Sequence, residues 1–204
     1  MQLLTRLVTH TAAAAAFALA CSLSNAAPVP VFNTGVDATG SPLPGGATDS
    51  HWQVVGGPGV SVPFQAIVVS NQHPVGQYFS TPDSMWIWAN ASGAAVVGET
   101  YTFELQIDLA GYDASTAELS GLWGVDNNGS ILLNGLNPIG TGTFSLTGSQ
   151  FENFNTGHAF SITGGFVDGI NRLQFQVVDA GNPAALNVFG LSVTAVAVPE
   201  PQSY

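Results

Sequence analysis

The stretch that decides the fold is residues 100–135, which reads TYTFELQIDLAGYDASTAELSGLWGVDNNGSILLNG. Its first part alternates apolar and polar residues with a period of two, which is typical of a β-strand with one buried face. Two more strands are predicted over 119–125 and 130–133, joined by a tight hairpin turn at Asn128-Gly129, two residues that tolerate positive φ. The apolar positions of the first strand are Tyr101, Phe103, Leu105, Ile107 and Leu109. Three consecutive strands, forming a meander, are therefore expected.

The rest of the chain continues this pattern in short apolar or alternating runs separated by Gly, Asn or Pro. These runs predict strands near 31–32, 51–55, 64–70, 85–89, 143–146, 159–163, 171–178 and 186–196. About ten short strands at regular spacing are typical of an antiparallel β-sandwich or jelly roll. We therefore expect one all-β domain over 27–197, which ends where the prolines after Val198 begin. Its core is expected to contain Phe103, Leu105, Ile107, Leu119, Trp123, Leu173 and Phe175.

Charge is scarce and nearly all of one sign. The 204 residues contain two basic side chains, Arg6 and Arg172, against 13 acidic ones. All the acidic residues follow Ala26, so that part of the chain sets one arginine against thirteen acids and has a net charge of −12. Nucleic acid is excluded as a partner because its phosphates need clustered cations. Anionic lipid surfaces are disfavoured for the same reason.

Residues 1–26 have the three parts of a secretory signal peptide. A basic residue, a short alanine-rich run and two small residues follow one another, and cleavage is predicted after Ala26. The alanine-rich run is shorter than the roughly 20 residues that span a bilayer. The alternatives are an N-terminal helix of the domain and a lipid on Cys21, although Ala18-Leu19-Ala20 resembles a lipobox only loosely. We expect an exported protein whose mature domain has no disulfide.

Two tryptophans are the candidate ligand contacts. Trp86 and Trp88 lie two residues apart on a predicted strand, so their flat rings can form a platform for sugar rings or belong to the core. Residues 126–130 offer Asp and Asn oxygens that suit calcium, but a plain turn explains them better because the glutamate at the twelfth loop position is absent. His51, His73 and His158 are too widely spaced to indicate zinc. No metal and no cofactor are predicted.

Catalytic signatures are absent from the sequence. There is no G-x-S-x-G motif for a nucleophilic serine. Asp108, Asp113, Glu118 and Asp126 could supply paired carboxylates for glycoside hydrolysis, but any acidic sandwich offers such pairs. The sequence therefore favours a protein that is not an enzyme.

The C-terminal residues carry a resemblance to a sorting signal. Pro199, Glu200 and Pro201, close to the end of an exported and Gly-rich chain, resemble the PEP-CTERM signal of Gram-negative bacteria, which an exosortase processes. In that family an apolar segment and a basic tail follow the motif, and residues 202–204 contain neither. We therefore expect residues 198–204 to be a truncated motif and the reading frame to continue beyond Tyr204. The resemblance implies an exosortase-type sorting enzyme as partner, and the truncated chain should not insert stably into a membrane.

The body of the chain is similar to the galactose-binding-like jelly rolls carried by such proteins. The similarity lies in Asp108-Leu-Ala-Gly111, residues 117–127, Leu133-Asn-Gly135 and Gly169-Ile-Asn-Arg-Leu173, and it implies a fold rather than an activity. Two functions are left open. The first is an exported, non-catalytic cell-surface or extracellular-matrix protein associated with exopolysaccharide and biofilm. The second is a carbohydrate-binding module that contacts glycans through Trp86 and Trp88.

Overall fold

The computed structural model describes residues 25–72 and 76–199. The regular secondary structure of this part of the chain consists of twelve β-strands and one short helix, α1 (Glu152–Asn155). The strands are β1 (Ala26–Val29), β2 (Thr48–Gly56), β3 (Phe64–Val68), β4 (Ile87–Trp88), β5 (Thr100–Asp108), β6 (Tyr112–Asp126), β7 (Asn128–Leu133), β8 (Ile139–Gly142), β9 (Ser145–Leu146), β10 (His158–Gly164), β11 (Ile170–Val178) and β12 (Ala185–Ala197). The predicted all-β class is confirmed. Most of the predicted signal peptide, His73, Glu200 and Pro201 lie outside the described residues.

The strands form one antiparallel sheet that curls into a half-barrel, a shape compatible with a β-sandwich. Its order is β8-β10-β6-β12-β4-β3-β2-β5-β11-β7-β9, with β1 paired to β12. We call β8-β10-β6-β12 the first arm and β2-β5-β11-β7-β9 the second arm. The short strands β3 and β4 connect the two arms on one side. On the other side, Thr143 and Phe144 carry the chain from β8 to β9, the outermost strands of the two arms.

The pairing overturns the predicted meander. β5 pairs with β2 and β11, β6 pairs with β10 and β12, and β7 returns to the second arm to pair with β11 and β9. Asn128 and Gly129 are strand residues of β7 and neither has positive φ, so the predicted hairpin between β6 and β7 is wrong. The glycine is needed for a different reason: a Cβ on Gly129 would lie 2.9 Å from the backbone oxygen of Gln176 on β11.

An Asn-Gly turn does exist, further along the chain. Asn134 and Gly135 have φ values of 54° and 77°, and they connect Leu133 to Leu136 as a tight turn. The side chain of Asn171 lies beside this turn and accepts a hydrogen bond from Asn134 Nδ2 at 3.0 Å. Asn-Gly occurs twice in this part of the chain. The tight turn forms at Asn134-Gly135 and not at Asn128-Gly129, where it was predicted.

The predicted core is confirmed. All seven residues named from the sequence are buried, and the alternation of β5 and β11 sends one set of side chains inward from both strands. Phe175 of the second arm contacts Trp123 and Phe160 of the first arm, with ring centroids 5.4 and 6.1 Å apart. These contacts join the facing arms, and all three rings are buried.

Both described ends of the chain lie at one end of the sheet, which we call the terminal pole. Ala26 of β1 pairs with Val196 of β12, so the predicted cleavage site lies beside the last strand. The backbone N–H of Val198 donates to the carbonyl of Gly111 at 2.8 Å, in the turn between β5 and β6. The loop from β2 to β3 and the start of β5 lie at the opposite pole, because Gly56 pairs with Thr102.

Candidate functional site

A polar cleft of about 260 Å³ opens beside β2 and β5 of the second arm. We call it the β2–β5 cleft. Its polar and aromatic lining is formed by Phe32, Ser50, His51, Gln53, Glu104 and Gln106, and Pro30 and Leu105 complete it. Gln53 pairs directly with Glu104 in the sheet, and Gln106 follows two residues later on β5, so these three side chains share one face. Since that face is opposite to Phe103 and Leu105, the cleft lies outside the hydrophobic core.

Glu104 lies on the floor of the cleft, where three side chains hold its carboxylate in place. Its side chain is only 3% exposed, and it accepts hydrogen bonds from Arg172 Nη1, from Gln174 Nε2 at 3.0 Å and from Gln106 Nε2 at 3.3 Å. Arg172 is half-exposed and is the only basic residue after Ala26. A buried carboxylate is stable only when it is paired and hydrogen-bonded, and both conditions are met here.

Two stacked rings form the wall of the cleft. The rings of Phe32 and His51 lie 3.6 Å apart with an angle of 5° between their planes. Phe32 is also fixed through its backbone, because its carbonyl accepts from the indole N–H of Trp52 at 3.1 Å. His51 Nε2 is buried and has no hydrogen-bond partner among the described residues. The wall is thus an aromatic surface attached to a rigid strand.

Asp49 holds the chain in position behind this wall. Its carboxylate is buried and accepts backbone N–H groups of Gly35 at 2.6 Å, His51 at 2.8 Å and Trp52 at 3.2 Å. Burial raises the pKa of Asp49, while these three hydrogen bonds act in the opposite direction. All three of these partners are backbone groups, so Asp49 joins the 34–36 loop to the start of β2.

The groups that face the cleft have the chemistry of a site for a polar, uncharged ligand. Amide side chains such as Gln53 both donate and accept hydrogen bonds, as do hydroxyls such as Ser50. The ion pair between Glu104 and Arg172 leaves no net charge on the floor. A volume of this size, near the lower end of small-molecule sites, suits one ring of a larger molecule that crosses the sheet face.

Of the two arrangements considered for Trp86 and Trp88, the structure has the core and not the platform. Trp86 is 1% exposed and Trp88 is fully buried, so neither ring presents a face to solvent. Their indole N–H groups donate to the carbonyls of Phe79 and Ala94, each at 3.0 Å. Trp88 also packs on Phe103, with ring centroids 5.2 Å apart. β4 lies between the two arms, and this position makes both tryptophans part of the core.

A second group of buried acids lies at the opposite pole. Asp126 accepts from the hydroxyl of Tyr78 at 2.7 Å and from Asn127 Nδ2. The pKa of Asp126 is raised to about 6, chiefly by burial and also by the nearby Asp179, against the opposing effect of the Tyr78 hydrogen bond. Burial and the Asp126 charge also raise the pKa of Tyr78. Asp179 is buried, and its Oδ2 has no hydrogen-bond partner in the described part of the chain.

The 126–130 segment, considered above as a calcium loop, uses its oxygens within the protein. The carbonyl of Asn127 accepts from Asn153 Nδ2 at 2.6 Å, and Asn127 Oδ1 accepts from the N–H of Ala180 at 2.7 Å. Asn128 Oδ1 accepts from the N–H of Ser149 at 2.7 Å. Across residues 25–72 and 76–199, no group of three or more His, Cys, Asp or Glu side chains could hold a metal ion.

Two of the carboxylates considered above for glycoside hydrolysis, Asp113 and Asp126, lie far apart on the same strand. Asp113 lies near the start of β6 and Asp126 at its end, which a fully extended strand would place roughly 40 Å apart. Asp108 and Asp113 accept backbone N–H groups of Ala110 and Ser115, and so stabilise turns at the terminal pole. This separation is several times the distance between the two carboxylates of a glycosidase.

Sequence reasoning missed the cleft, although a signal for it was present. The alternation of β5 and β11 identified their polar faces, including Glu104, Gln106 and Arg172. It did not reveal that β2 pairs with β5, nor that Phe32 folds over His51. Of the sorting motif only Pro199 is described, and it follows the end of β12 by two residues. No described helix has the length and apolar character needed to cross a membrane.

Comparison with known proteins assigns no family to this chain, so its class is defined by the fold alone. No protein-family model, curated protein or solved structure matches the chain. The fold and the cleft define an all-β, antiparallel half-barrel with a polar site on one outer face.

Proposed function

We propose that this chain is an exported, non-catalytic protein of the bacterial cell surface or extracellular matrix, associated with exopolysaccharide. In this proposal residues 1–26 direct export, and Pro199-Glu200-Pro201 is recognised by an exosortase-type sorting enzyme. The half-barrel is a galactose-binding-like jelly roll. The contacts of Phe175 with Trp123 and Phe160 across the two arms support this finer description of the fold.

One observation carries the proposal: the predicted cleavage site and the start of the sorting motif share the terminal pole. Ala26 pairs with Val196, and Pro199 follows that strand directly. A sorting enzyme in the bilayer needs its motif presented at the membrane surface. With both membrane-directed segments at one pole, the domain can be held there without unfolding its sheet, and its outer faces remain accessible to the surroundings.

A second candidate function, glycan recognition, is supported by the β2–β5 cleft. The cleft combines amide groups, a neutralised carboxylate and an aromatic wall, which are the groups that bind polyhydroxylated ligands. This function is compatible with the first, since a matrix protein can bind the polymer around it.

Surface labelling of the source bacterium tests the proposed location. An epitope is inserted into the chromosomal gene between Ser61 and Val62, two exposed residues at the pole opposite to the termini. Intact cells should bind the antibody. Deletion of residues 1–26 should leave the protein in the cytoplasm, and replacement of Pro199-Glu200-Pro201 by three alanines should reduce the surface label while export continues.

Replacement of Pro58 by alanine, in the loop that carries the epitope, is the matched control and should leave the label unchanged. Cytoplasmic protein in cells that carry the intact gene would contradict export. An unchanged surface label in the triple-alanine variant would contradict sorting through the motif.

A further inference from the structure

We propose that the β2–β5 cleft binds a neutral oligosaccharide, and that Gln53 and Gln106 provide its hydrogen bonds. This inference rests on the proposed association with polysaccharide and adds to it a site and a charge class of ligand. Because Trp86 and Trp88 are buried, the aromatic contact with the ligand is assigned to the wall formed by Phe32 and His51.

The amide side chains on the floor of the β2–β5 cleft keep hydrogen-bond donors and acceptors that a ligand can use. A carboxylate has about four acceptor positions, and Glu104 uses its oxygens for Arg172, Gln174 and Gln106. Gln106 donates one N–H to Glu104 and keeps its amide oxygen and a second N–H. The side chain of Gln53 makes no hydrogen bond to another described residue, so its whole amide is available beside the cleft.

Part of the cleft is held in place before any ligand arrives. Glu104 is 3% exposed and bonded by three side chains, and one of them is the amide of Gln106. The ring of His51 is fixed by the stack with Phe32. A preorganised site loses less conformational freedom on binding, which favours affinity for a ligand as weakly hydrophobic as a sugar.

Charge selects neutral glycans over acidic ones. Arg172 is the only cation after Ala26, and it is already paired with Glu104. The domain otherwise carries a large excess of negative charge, so a polyanion approaches against its field. At physiological salt this repulsion acts over about 8 Å, which is enough to reach a ligand seated on the sheet face.

Calorimetric titration of the purified full chain tests the site. The neutral probes are cellopentaose, laminaripentaose, maltopentaose, xylopentaose and mannopentaose, and the anionic probe is tetragalacturonate. We expect at least one neutral probe to bind with a millimolar or lower dissociation constant and tetragalacturonate to bind more weakly. Gln53→Ala and Gln106→Ala should each weaken that binding by about tenfold, the effect of losing one or two hydrogen bonds.

The matched control is Gln176→Ala, which removes the same amide group from β11 outside the cleft. It should leave the affinity unchanged, and near-ultraviolet circular dichroism should show that all three variants keep the native packing. Absence of binding to every neutral probe overturns the inference, as do unchanged affinities in both cleft variants or tighter binding of tetragalacturonate. If the protein reaches the cell surface but binds no neutral probe, only the proposed glycan binding in the cleft is refuted. If the protein binds a neutral probe but is found in the cytoplasm, only the proposed location is refuted.

Discussion

Replacing Trp123 by alanine should remove a large part of the stability of the domain. Its side chain is fully buried, it contacts Phe175 of the opposite arm, and its indole N–H donates to the carbonyl of Thr143 at 2.9 Å. Truncating a buried aromatic residue to alanine costs about 3–5 kcal/mol, and losing the hydrogen bond to the half-buried Thr143 carbonyl adds about 0.5–1.5 kcal/mol. The sum is comparable to the whole margin of a typical domain, about 5–15 kcal/mol.

Urea unfolding followed by far-ultraviolet circular dichroism measures this loss as a change in the free energy of unfolding. Trp123→Phe keeps a ring in the core and should cost less than the alanine variant, because it loses the hydrogen bond to Thr143 but retains most of the apolar contact. Val62→Ala is the surface control, since Val62 is 69% exposed. A loss below about 1 kcal/mol in Trp123→Ala, similar to that of a surface substitution, would refute the packing of the two arms described here.

Two further predictions concern the opposite pole and the approach of β7 to β11. The folded-state pKa of Asp126 is raised to about 6, so the stability linked to its protonation is complete below its unfolded pKa near 4 and is lost as the pH rises through 6. The free energy of unfolding should therefore fall by about 1–2 kcal/mol across that range, after allowance for solvent screening. Urea titrations at several pH values measure this fall. It should be smaller in Asp126→Asn and unchanged in the exposed control Asp168→Asn. Gly129→Ala should cost about 1–3 kcal/mol because its Cβ meets the backbone of Gln176. Gly181→Ala, where a Cβ meets no atom within 4 Å, should change the melting temperature little, and equal effects of the two substitutions would contradict the close approach.

The strands and the core were predictable because their signal is local. The alternation in β5 and β11 identified both strands and the side chains that they bury, including Phe103 and Phe175. Burial on one face of a strand depends on the pattern of that strand, which a reader of the sequence can see. The predicted strands at 64–70 and 171–178 match β3 and β11 to within a few residues.

The pairing and the cleft were not predictable from the same pattern. Asn128-Gly129 has the composition of a hairpin, yet β7 pairs with β11, and the paired residues lie forty to fifty positions apart in the sequence. Trp86 and Trp88 fit a platform as well as a core until the position of β4 between the arms is known. The cleft requires β2 to lie beside β5 and Phe32 to fold over His51, and no local periodicity reports either contact.

The mass of the N-terminal peptide of the protein, recovered from its source organism, tests export most directly. The proposed function predicts a mature chain that begins at Ala27, with β1 still paired to β12 through Ala27 and Val29. Mass spectrometry of the cell-surface and medium fractions should show this species and no lipid on Cys21. A chain that retains Met1, or a lipid-modified Cys21, would contradict cleavage after Ala26 and with it the route by which the domain is proposed to reach the cell surface.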